Sequence, residues 1–198
     1  MRELVTIMGI DQSINSTGVC IYSVKTSNDK RKVSTMYYNI LPEEKMKKKM
    51  KELNHKYLEF LTYNKQTGDD YESKELAKTH NIMNICTYIE NLIRKYAPDV
   101  LVMEGISYGS TGSASLVDLS GLNFCIRMIA IKHKVIVRLA SPMTVKKLAT
   151  GNGGALKDEM IWAWRNCDTN IKDLSGIKDD DLADSYWLAR IYETDYIK

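Results

Sequence analysis

The sequence predicts an α/β protein whose mixed five-stranded sheet has three antiparallel strands followed by two parallel strands and is flanked by helices. Three short runs rich in β-favouring residues come first, and only polar turns separate them. Two further apolar runs each follow a segment with helical periodicity, an arrangement typical of parallel strands joined by a crossover. Acidic residues end two of these runs, so we expect a functional site at one edge of the sheet.

The first three strands are predicted over residues 4–8, 19–24 and 33–40, and together they form an antiparallel meander. Asp11 lies just after the first strand, before a polar turn that leads into the second. Burying a carboxylate there is costly unless it is paired, protonated or bound to a cation. Asp11 is therefore either a metal ligand, which needs other carboxylates from elsewhere in the chain, or a turn residue that caps a hairpin.

Residues 42–69 are predicted to form a helical insertion. Apolar residues recur at helical spacing in this segment, and its outer face is rich in lysine. The residues that define the apolar stripe are Met46, Met50, Leu53, Tyr57, Phe60 and Leu61. The lysine-rich face is either a solvated surface or a contact for the backbone of a nucleic acid.

The next helix is predicted to begin after the break and N-cap formed by residues 67–70 and to stop before Pro98. A continuous apolar run over 100–103 follows, as in a fully buried strand, and it ends on Glu104. A second carboxylate therefore lies at the end of a second central strand. Beside it, the Gly- and Ser-rich stretch 107–115 predicts a loop.

The last third of the chain is predicted to contain a helix, a fifth strand over 135–140 and three further helices. Ser141 and Pro142 indicate the start of the first of these three helices, because Ser is a favoured cap and Pro is favoured at the first helical position. The final helix carries Asp181 and Asp184, which lie three positions apart and therefore on one face.

This order of elements is similar to that of the RNase H-like fold, whose core sheet places the first and fourth strands side by side. In such a fold Asp11 and Glu104 are neighbours. The last helix packs near the same edge and brings Asp181 and Asp184 to them. Four carboxylates in one place cannot all stay ionised without compensation, which Mg²⁺ supplies because it prefers oxygen ligands. Two such ions about 4 Å apart would activate a water and stabilise the leaving oxygen of a phosphodiester.

Four segments resemble the motifs of one nuclease family. Residues 9–18 resemble an opening G-I-D-P-G-S…T-G motif, with Gln12 in place of the proline and the next glycine missing. Residues 102–105 match the second acidic strand of that family, and residues 181–185 resemble its D-A-A-D-A motif. Residues 141–157 are similar to its T-P-x-x-V-K…T-G-x-G-x-A-x-K segment. On these motifs, which span most of the chain, the protein resembles the RuvC-type Holliday-junction resolvases.

The resemblance implies a single RNase H-like nuclease domain over residues 1–198 that acts as a crossover junction endodeoxyribonuclease in DNA recombination and repair. Its substrate would be a four-way DNA junction, which a Mg²⁺-dependent hydrolase resolves by paired phosphodiester cuts. The four carboxylates would be the catalytic residues and would hold two Mg²⁺ ions, which Mn²⁺ can replace. These residues are Asp11, Glu104, Asp181 and Asp184.

The resemblance also implies that Lys146 and Lys157 contact DNA phosphates and that Tyr108 stacks at the junction. Lys147 flanks the same site and is a further DNA-binding candidate. A polyanion cannot approach an acidic pocket without nearby cations, which favours this role for the lysines. Otherwise they are solvated surface charges, and Tyr108 is a loop tyrosine without a special partner.

A symmetric substrate predicts a symmetric enzyme. A four-way junction needs paired cuts in opposing strands, so the simplest assembly is a homodimer whose two-fold axis matches that of the junction. The helix predicted over 114–132 is the candidate interface because its apolar residues cover more than one face. Those residues are Leu116, Val117, Leu119, Leu122, Phe124, Ile126 and Ile129. In the resembling family the equivalent helix lies at the dimer interface; otherwise it is central to the core of a monomer.

Composition sets only broad limits on partners and compartment. The net charge of +3 and the pI near 8.5 neither require nor exclude a nucleic-acid partner. The four cysteines form no C-x-x-C pair, which favours reduced core thiols over a zinc site or a disulfide framework. No apolar run is long enough to span a membrane, and no signal peptide precedes the first strand. We therefore expect a soluble cytoplasmic protein, with a viral origin left open, that has no membrane partner and no nucleotide cofactor.

Three other functions stay open. The opening G-I-D-x-S…T-G motif also resembles the phosphate-binding entry of sugar kinases and related ATPases, but those proteins need two such domains around a nucleotide. A non-catalytic junction-binding protein would not need all four carboxylates. A broader endonuclease for branched or flap DNA is compatible with the insertion and the altered first motif. A Mg²⁺-dependent nicking assay on junction, Y-fork and linear duplex DNA separates these functions.

Overall fold

A six-stranded mixed sheet forms the centre of the structure. The computed structural model of the chain describes residues 4–27, 30–106, 113–171 and 180–196. The strands are β1 (Leu4–Asp11), β2 (Thr17–Ser27), β3 (Lys30–Pro42), β4 (Leu58–Tyr63), β5 (Val100–Glu104) and β6 (Ile136–Ala140). They lie in the order β4-β3-β2-β1-β5-β6. The three strands from β1 to β3 pair antiparallel, whereas β4, β5 and β6 each pair parallel with an earlier strand.

Helices follow the strands in the predicted alternation. The α-helices of the described ranges are α1 (Lys48–Glu52), α2 (Tyr71–Tyr96), α3 (Ser113–Lys132), α4 (Pro142–Thr150), α5 (Lys157–Cys167), α6 (Asp180–Arg190) and α7 (Glu193–Tyr196). None of these helices combines the length and the apolar character that a membrane crossing requires.

The predicted fold class is confirmed, with one correction to the strand count. The antiparallel meander and the two parallel strands after it are present, but the sheet has six strands where five were predicted. The additional strand is β4, and it comes from the segment that was predicted to be a lysine-rich helix. The prediction of a helix is wrong, because the segment forms a 3₁₀ turn (Glu43–Lys45), the short helix α1 and then β4.

Strand pairing explains why the helix prediction fails. The register of β4 on β3 runs from Tyr37 opposite Leu58 to Pro42 opposite Tyr63, so the outer edge of β3 gains hydrogen-bonding partners along this stretch. Aromatic residues and a threonine in β4 also favour a strand. Met50 is the only buried residue of α1. The helical spacing of apolar residues in this segment therefore does not correspond to a buried helical face.

Helices cover both faces of the sheet. On one face, α5 and α6 pack against alternate residues of the central strands, including Ile7 and Val102. On the other face, α2 and α3 pack against the intervening residues, including Met8 and Met103. Because both faces are covered, β1 and β5 are nearly continuous apolar runs in the sequence.

Capping residues fix the starts of two helices, as predicted. The Asp70 side chain accepts a hydrogen bond from the backbone N–H of Ser73 (2.7 Å) at the start of α2. Before α4, the Ser141 hydroxyl accepts a hydrogen bond from the backbone N–H of Thr144 (3.3 Å), and Pro142 occupies the first helical position. The start of α4 is therefore fixed close to the end of β6, which positions the lysines that α4 carries.

Candidate active site

Two carboxylates end two neighbouring strands at the same edge of the sheet. The parallel register of β1 and β5 places Ile10 opposite Met103, and the next residue on each strand is Asp11 or Glu104. Ile10 and Met103 belong to the core beneath α2 and α3. Because side chains alternate along a strand, both carboxylates lie on the opposite face, which is the face that α6 covers.

Two glycines of the opening motif allow α6 to lie directly on β1 and β2. A Cβ on Gly9 would lie 2.1 Å from the carbonyl oxygen of Ser185, and a Cβ on Gly18 would lie 2.1 Å from that of Asp181. No side chain fits at either position, so the helix backbone contacts the strand backbone. This contact brings Asp181 and Asp184 over the edge where β1 ends.

Three of the four acids have raised pKa values. Burial raises the pKa of Asp11 well above its usual value, and the negative charges of the other three acids raise it further. Burial raises the pKa of Glu104 to about 7, and the charge of Asp184 adds to the rise. Burial also raises the pKa of Asp184 to about 6, although Lys157 opposes this change. The structure therefore brings the predicted carboxylates into one electrostatic environment.

A hydrogen-bonded pair holds Asp181 in place. The buried Ser16 hydroxyl hydrogen-bonds to the Asp181 carboxylate, and the same hydroxyl lies 3.2 Å from the side-chain oxygen of the buried Asn39. Neither Ser16 nor Asn39 was predicted from the sequence. An asparagine within an apolar strand was the available signal, because a buried polar side chain needs a hydrogen-bonding partner.

Two amide side chains hold the backbone of Glu104. Its carbonyl oxygen accepts hydrogen bonds from the side-chain amides of Asn123 (3.0 Å) and Gln12 (3.4 Å). Asn123 is fully buried in α3, and its side-chain oxygen, like that of Gln12, finds no hydrogen-bond donor among the described residues. The glutamine that replaces the proline of the motif therefore has a structural role beside the site.

The predicted lysines lie on α4 and α5. Lys146 is half-buried, and its positive charge lowers the pKa values of Glu104 and Asp184. Lys157 begins α5 and forms a salt bridge of 2.9 Å with Asp180, a partner that was not predicted from the sequence. Lys147 is exposed on α4.

The predicted stacking residue Tyr108 lies outside the described residues. Its role therefore stays a prediction.

The donor set suits a hard divalent cation. In the ranges that the structure describes, no three or more Asp, Glu, His or Cys side chains form a ready-made metal site. Mg²⁺ is usually held by one or two carboxylates together with waters and substrate phosphates, so a complete protein cage is not required. The oxygen-only side chains and the charge repulsion between them fit such an ion.

Comparisons with known proteins identify one family. The family profile of crossover junction endodeoxyribonuclease RuvC matches residues 70–189, a segment that contains Glu104, Asp181 and Asp184 but not Asp11. No curated protein sequence matches the chain.

Solved structures share its fold across nearly the whole chain. Thermus thermophilus RuvC is 14% identical, with 98% of each chain covered and a TM-score of 0.61. T. thermophilus RuvC in complex with a Holliday junction substrate is 16% identical, with 95% of this chain and 92% of that chain covered and a TM-score of 0.60. Fowlpox virus resolvase in complex with substrate Holliday junction DNA is 14% identical, with 98% and 100% covered and a TM-score of 0.54. Because the family profile matches more than half of its residues, the chain belongs to the RuvC family.

Proposed function

We propose that this chain is a divalent-metal-dependent endodeoxyribonuclease that resolves four-way DNA junctions by hydrolysing phosphodiesters. The observation that carries the proposal is the convergence of Asp11, Glu104 and Asp184 at one edge of the sheet, with raised pKa values that mutual repulsion helps to produce. Membership of the RuvC family supports a junction as the substrate. The residues from 1 to 198 would form one nuclease domain.

The four carboxylates would hold the cation. Asp11 and Glu104 come from adjacent strands, and Asp181 and Asp184 come from the helix packed above them. When bound, Mg²⁺ or Mn²⁺, as one ion or two, supplies activation of the attacking water and stabilisation of the leaving oxygen. The hydrogen bond from Ser16 holds the Asp181 carboxylate in one orientation.

Lysines beside the acids would make the site accessible to DNA. The charge of Lys146 acts on Glu104 and Asp184, so this lysine is close enough to compensate part of the negative charge. Lys157 is held by Asp180, which fixes its ammonium group near the acids. We propose that both contact phosphates of the bound strand, and that Lys147 and Tyr108 add a phosphate contact and a stacking contact.

An exposed apolar face on α3 supports a homodimer. Leu122, Ile126 and Ala130 are buried against the sheet, but a second set of apolar residues on the same helix is exposed. These are Val117 (69% exposed), Phe124 (55%), Met128 (68%) and Ile131 (66%). Their spacing of seven, four and three residues places them on one face. A second copy of the chain would cover this face and supply the second cut that a junction requires.

Cleavage assays on defined substrates test the proposed function. We expect the wild-type chain with Mg²⁺ to cut a four-way junction and to leave a linear duplex of the same sequence intact, and we expect EDTA to abolish cutting. Asp11→Asn, Glu104→Gln and Asp184→Asn should each abolish cleavage while junction binding persists, because they remove metal ligands and not DNA contacts. Asp158→Asn, which changes an exposed acid on α5, is the control and should cut normally.

Two results would contradict the proposal. Normal cleavage by Asp11→Asn in Mg²⁺ would show that the acids do not form the active site. Equal cleavage of a Y-fork and a four-way junction would show that the chain is a broader branched-DNA endonuclease and not a dedicated resolvase.

A further inference from the structure

We propose that the groove between the β1–β2 connection and the start of α2 binds the phosphodiester backbone of a DNA strand that runs past the active site. This inference rests on the proposed function and adds a binding site to it. The groove has a volume of about 850 Å³ and is bordered on one side by Gln12 and Ser13, which directly follow Asp11. A linear polymer at Asp11 would therefore continue into the groove.

The segment after β4 builds the opposite wall. Residues 65–68 line the groove there, and the first turns of α2 complete it with Tyr71, Lys74 and Lys78. This wall exists because residues 58–63 form β4 at the edge of the sheet instead of a helix. In this proposal, the insertion over residues 42–69 adds a binding surface beside the edge of the sheet that carries Asp11 and Glu104.

Hydrogen bonds fix this wall in position. The side chain of buried Asn81 on α2 accepts a hydrogen bond from the backbone N–H of Gln66 (2.8 Å) and donates one to its carbonyl oxygen (3.0 Å). The Tyr63 hydroxyl donates to the carbonyl oxygen of Ile14 (3.0 Å), which joins β4 to the β1–β2 connection. The groove is therefore formed before any ligand binds, and less ordering is required on binding.

The charges of the lining favour a phosphate backbone. Lys78 is compensated by Glu75 (2.7 Å) and Asp118 (3.7 Å). Lys65 forms a salt bridge of 3.7 Å with Glu44, which does not line the groove. Because Glu75 and Asp118 line the groove with Lys65, Lys74 and Lys78, the lining carries three lysines and two acids.

Lys74 is exposed at the start of α2 and lines the groove with Lys65, so these two lysines supply its positive charge. The ring of Tyr71 is 82% exposed at the same place, where an unpaired base could stack on it. Spaced positive charges beside an aromatic ring suit a chain of nucleotides better than a single small anion.

Salt-dependent binding of a synthetic four-way junction tests the groove. In EDTA, which prevents cleavage, we expect the double variant Lys65→Ala/Lys74→Ala to bind about tenfold more weakly than wild type. The slope of log affinity against log salt should fall by about two counterions. Tyr71→Ala should weaken binding about tenfold without changing this slope, because stacking carries no charge.

The matched control changes two exposed lysines at the other end of the sheet. Lys25 and Lys32 face each other on β2 and β3, seven residues along β2 from Gly18, which pairs with Asp11. Lys25→Ala/Lys32→Ala removes the same charge and should leave the salt slope at the wild-type value. Circular dichroism spectra of both double variants should match wild type, because all four side chains lie at the surface and none supports the core.

The outcomes separate this proposal from the proposed function. If the wild-type chain binds and cuts junctions but the groove and control variants have identical salt slopes, the proposed binding groove is contradicted and the proposed function is not. A wild-type chain that binds no DNA would overturn both. A photocrosslinking amino acid at position 71 provides a second measurement, and a crosslink to junction DNA is the expected result. A crosslink of equal yield from position 25 would show contact without a specific site and would contradict the groove.

Discussion

The helices α6 and α3 lie on opposite faces of the same central strands, yet their surroundings differ sharply. In α6, eight of eleven residues are buried, including the acid Asp181, and its backbone touches β1 and β2 at Gly9 and Gly18. In α3, a full apolar face with Phe124 and Met128 is exposed. The comparison indicates that packing within the chain fixes the positions of the acids on α6, whereas the exposed apolar face of α3 is the surface that we propose a second copy covers.

The largest expected effect on stability and cleavage comes from a side chain that forces α6 away from β1. In Gly9→Ala, the new methyl group would meet the backbone of Ser185, which cannot move without displacing the helix. We expect the free energy of unfolding to fall by about 3 kcal/mol or more. Thermal melting should show a decrease in Tm of about 10 °C for a chain of this size, and junction cleavage should be lost.

Gly121→Ala on α3 is the matched control for that variant. The new Cβ would lie 3.5 Å from the nearest Ile82 side-chain carbon, which is an ordinary contact. Because alanine favours a helix over glycine by about 1 kcal/mol, Tm should stay level or rise. A Gly9→Ala protein as stable as Gly121→Ala would contradict the close contact between α6 and β1.

The second prediction concerns the exposed face of α3. In Phe124→Lys/Met128→Lys, two charges replace apolar side chains that contribute little to the core of one chain. We expect sedimentation to show a monomer where wild type is a dimer, and paired cutting of a junction to become single nicks.

Val33→Lys is the control for the α3 variant because Val33 is also exposed but lies on β3, away from α3. It should leave the dimer intact. A monomeric wild type, both with and without junction DNA, would refute the homodimer.

A smaller effect is expected from Ser16→Ala, which removes the hydrogen bond to Asp181. Residues that orient metal ligands typically change metal affinity or activity by about 10- to 100-fold. We expect a loss of this size in the single-turnover cleavage rate, and a higher Mg²⁺ concentration for half-maximal cleavage. Junction affinity in EDTA should not change.

Ser34→Ala, at an exposed serine of β3, serves as the control and should behave like wild type. An unchanged Mg²⁺ requirement in Ser16→Ala would mean that this hydroxyl does not orient Asp181 for metal binding.

The smallest effect is a dependence of stability on pH. The pKa of Glu104 is raised to about 7 and that of Asp184 to about 6 in the folded chain. The unfolded chain has carboxyl pKa values of about 4, so the folded state binds more protons between about pH 4 and 7. Stability of the metal-free protein should therefore fall as pH rises through this window.

Melting temperatures in EDTA from pH 5 to 8 measure this effect. Glu104→Gln should flatten the dependence, because glutamine does not ionise, and Mg²⁺ should raise the Tm of wild type most at pH 8. Identical pH dependence in Glu104→Gln and wild type would argue against the raised pKa of Glu104.

Local sequence patterns were sufficient to predict the central strands and the positions of the acids at their ends. Apolar runs that end on Asp11 and Glu104 are visible in the sequence, and the parallel pairing of β1 and β5 makes them neighbours as expected. The strand β4 was missed because its apolar residues fit a helical stripe and do not alternate strictly with polar residues, as they would in a half-buried strand. Only its pairing with β3, which is a tertiary interaction, decides between the two.

Individual hydrogen bonds and salt bridges between distant parts of the chain were not predicted from the sequence. Ser16 and Asp181 are 165 residues apart, and no local period connects them. The salt bridge between Lys157 and Asp180 likewise depends on how α5 and α6 pack. The outer face of α3 was only partly predicted, since Met128 and Ile131 were not recognised as part of it.

The backbone contact between α6 and β1 has a consequence for how the protein is made. Asp11 is synthesised early and Asp181 late, so the proposed catalytic centre is incomplete while most of the chain has already been synthesised. Contacts that close such long loops form slowly and late in folding. If the proposed function is correct, a nascent or truncated chain that lacks α6 would be unable to cut DNA, and nuclease activity would begin only after α6 has been synthesised.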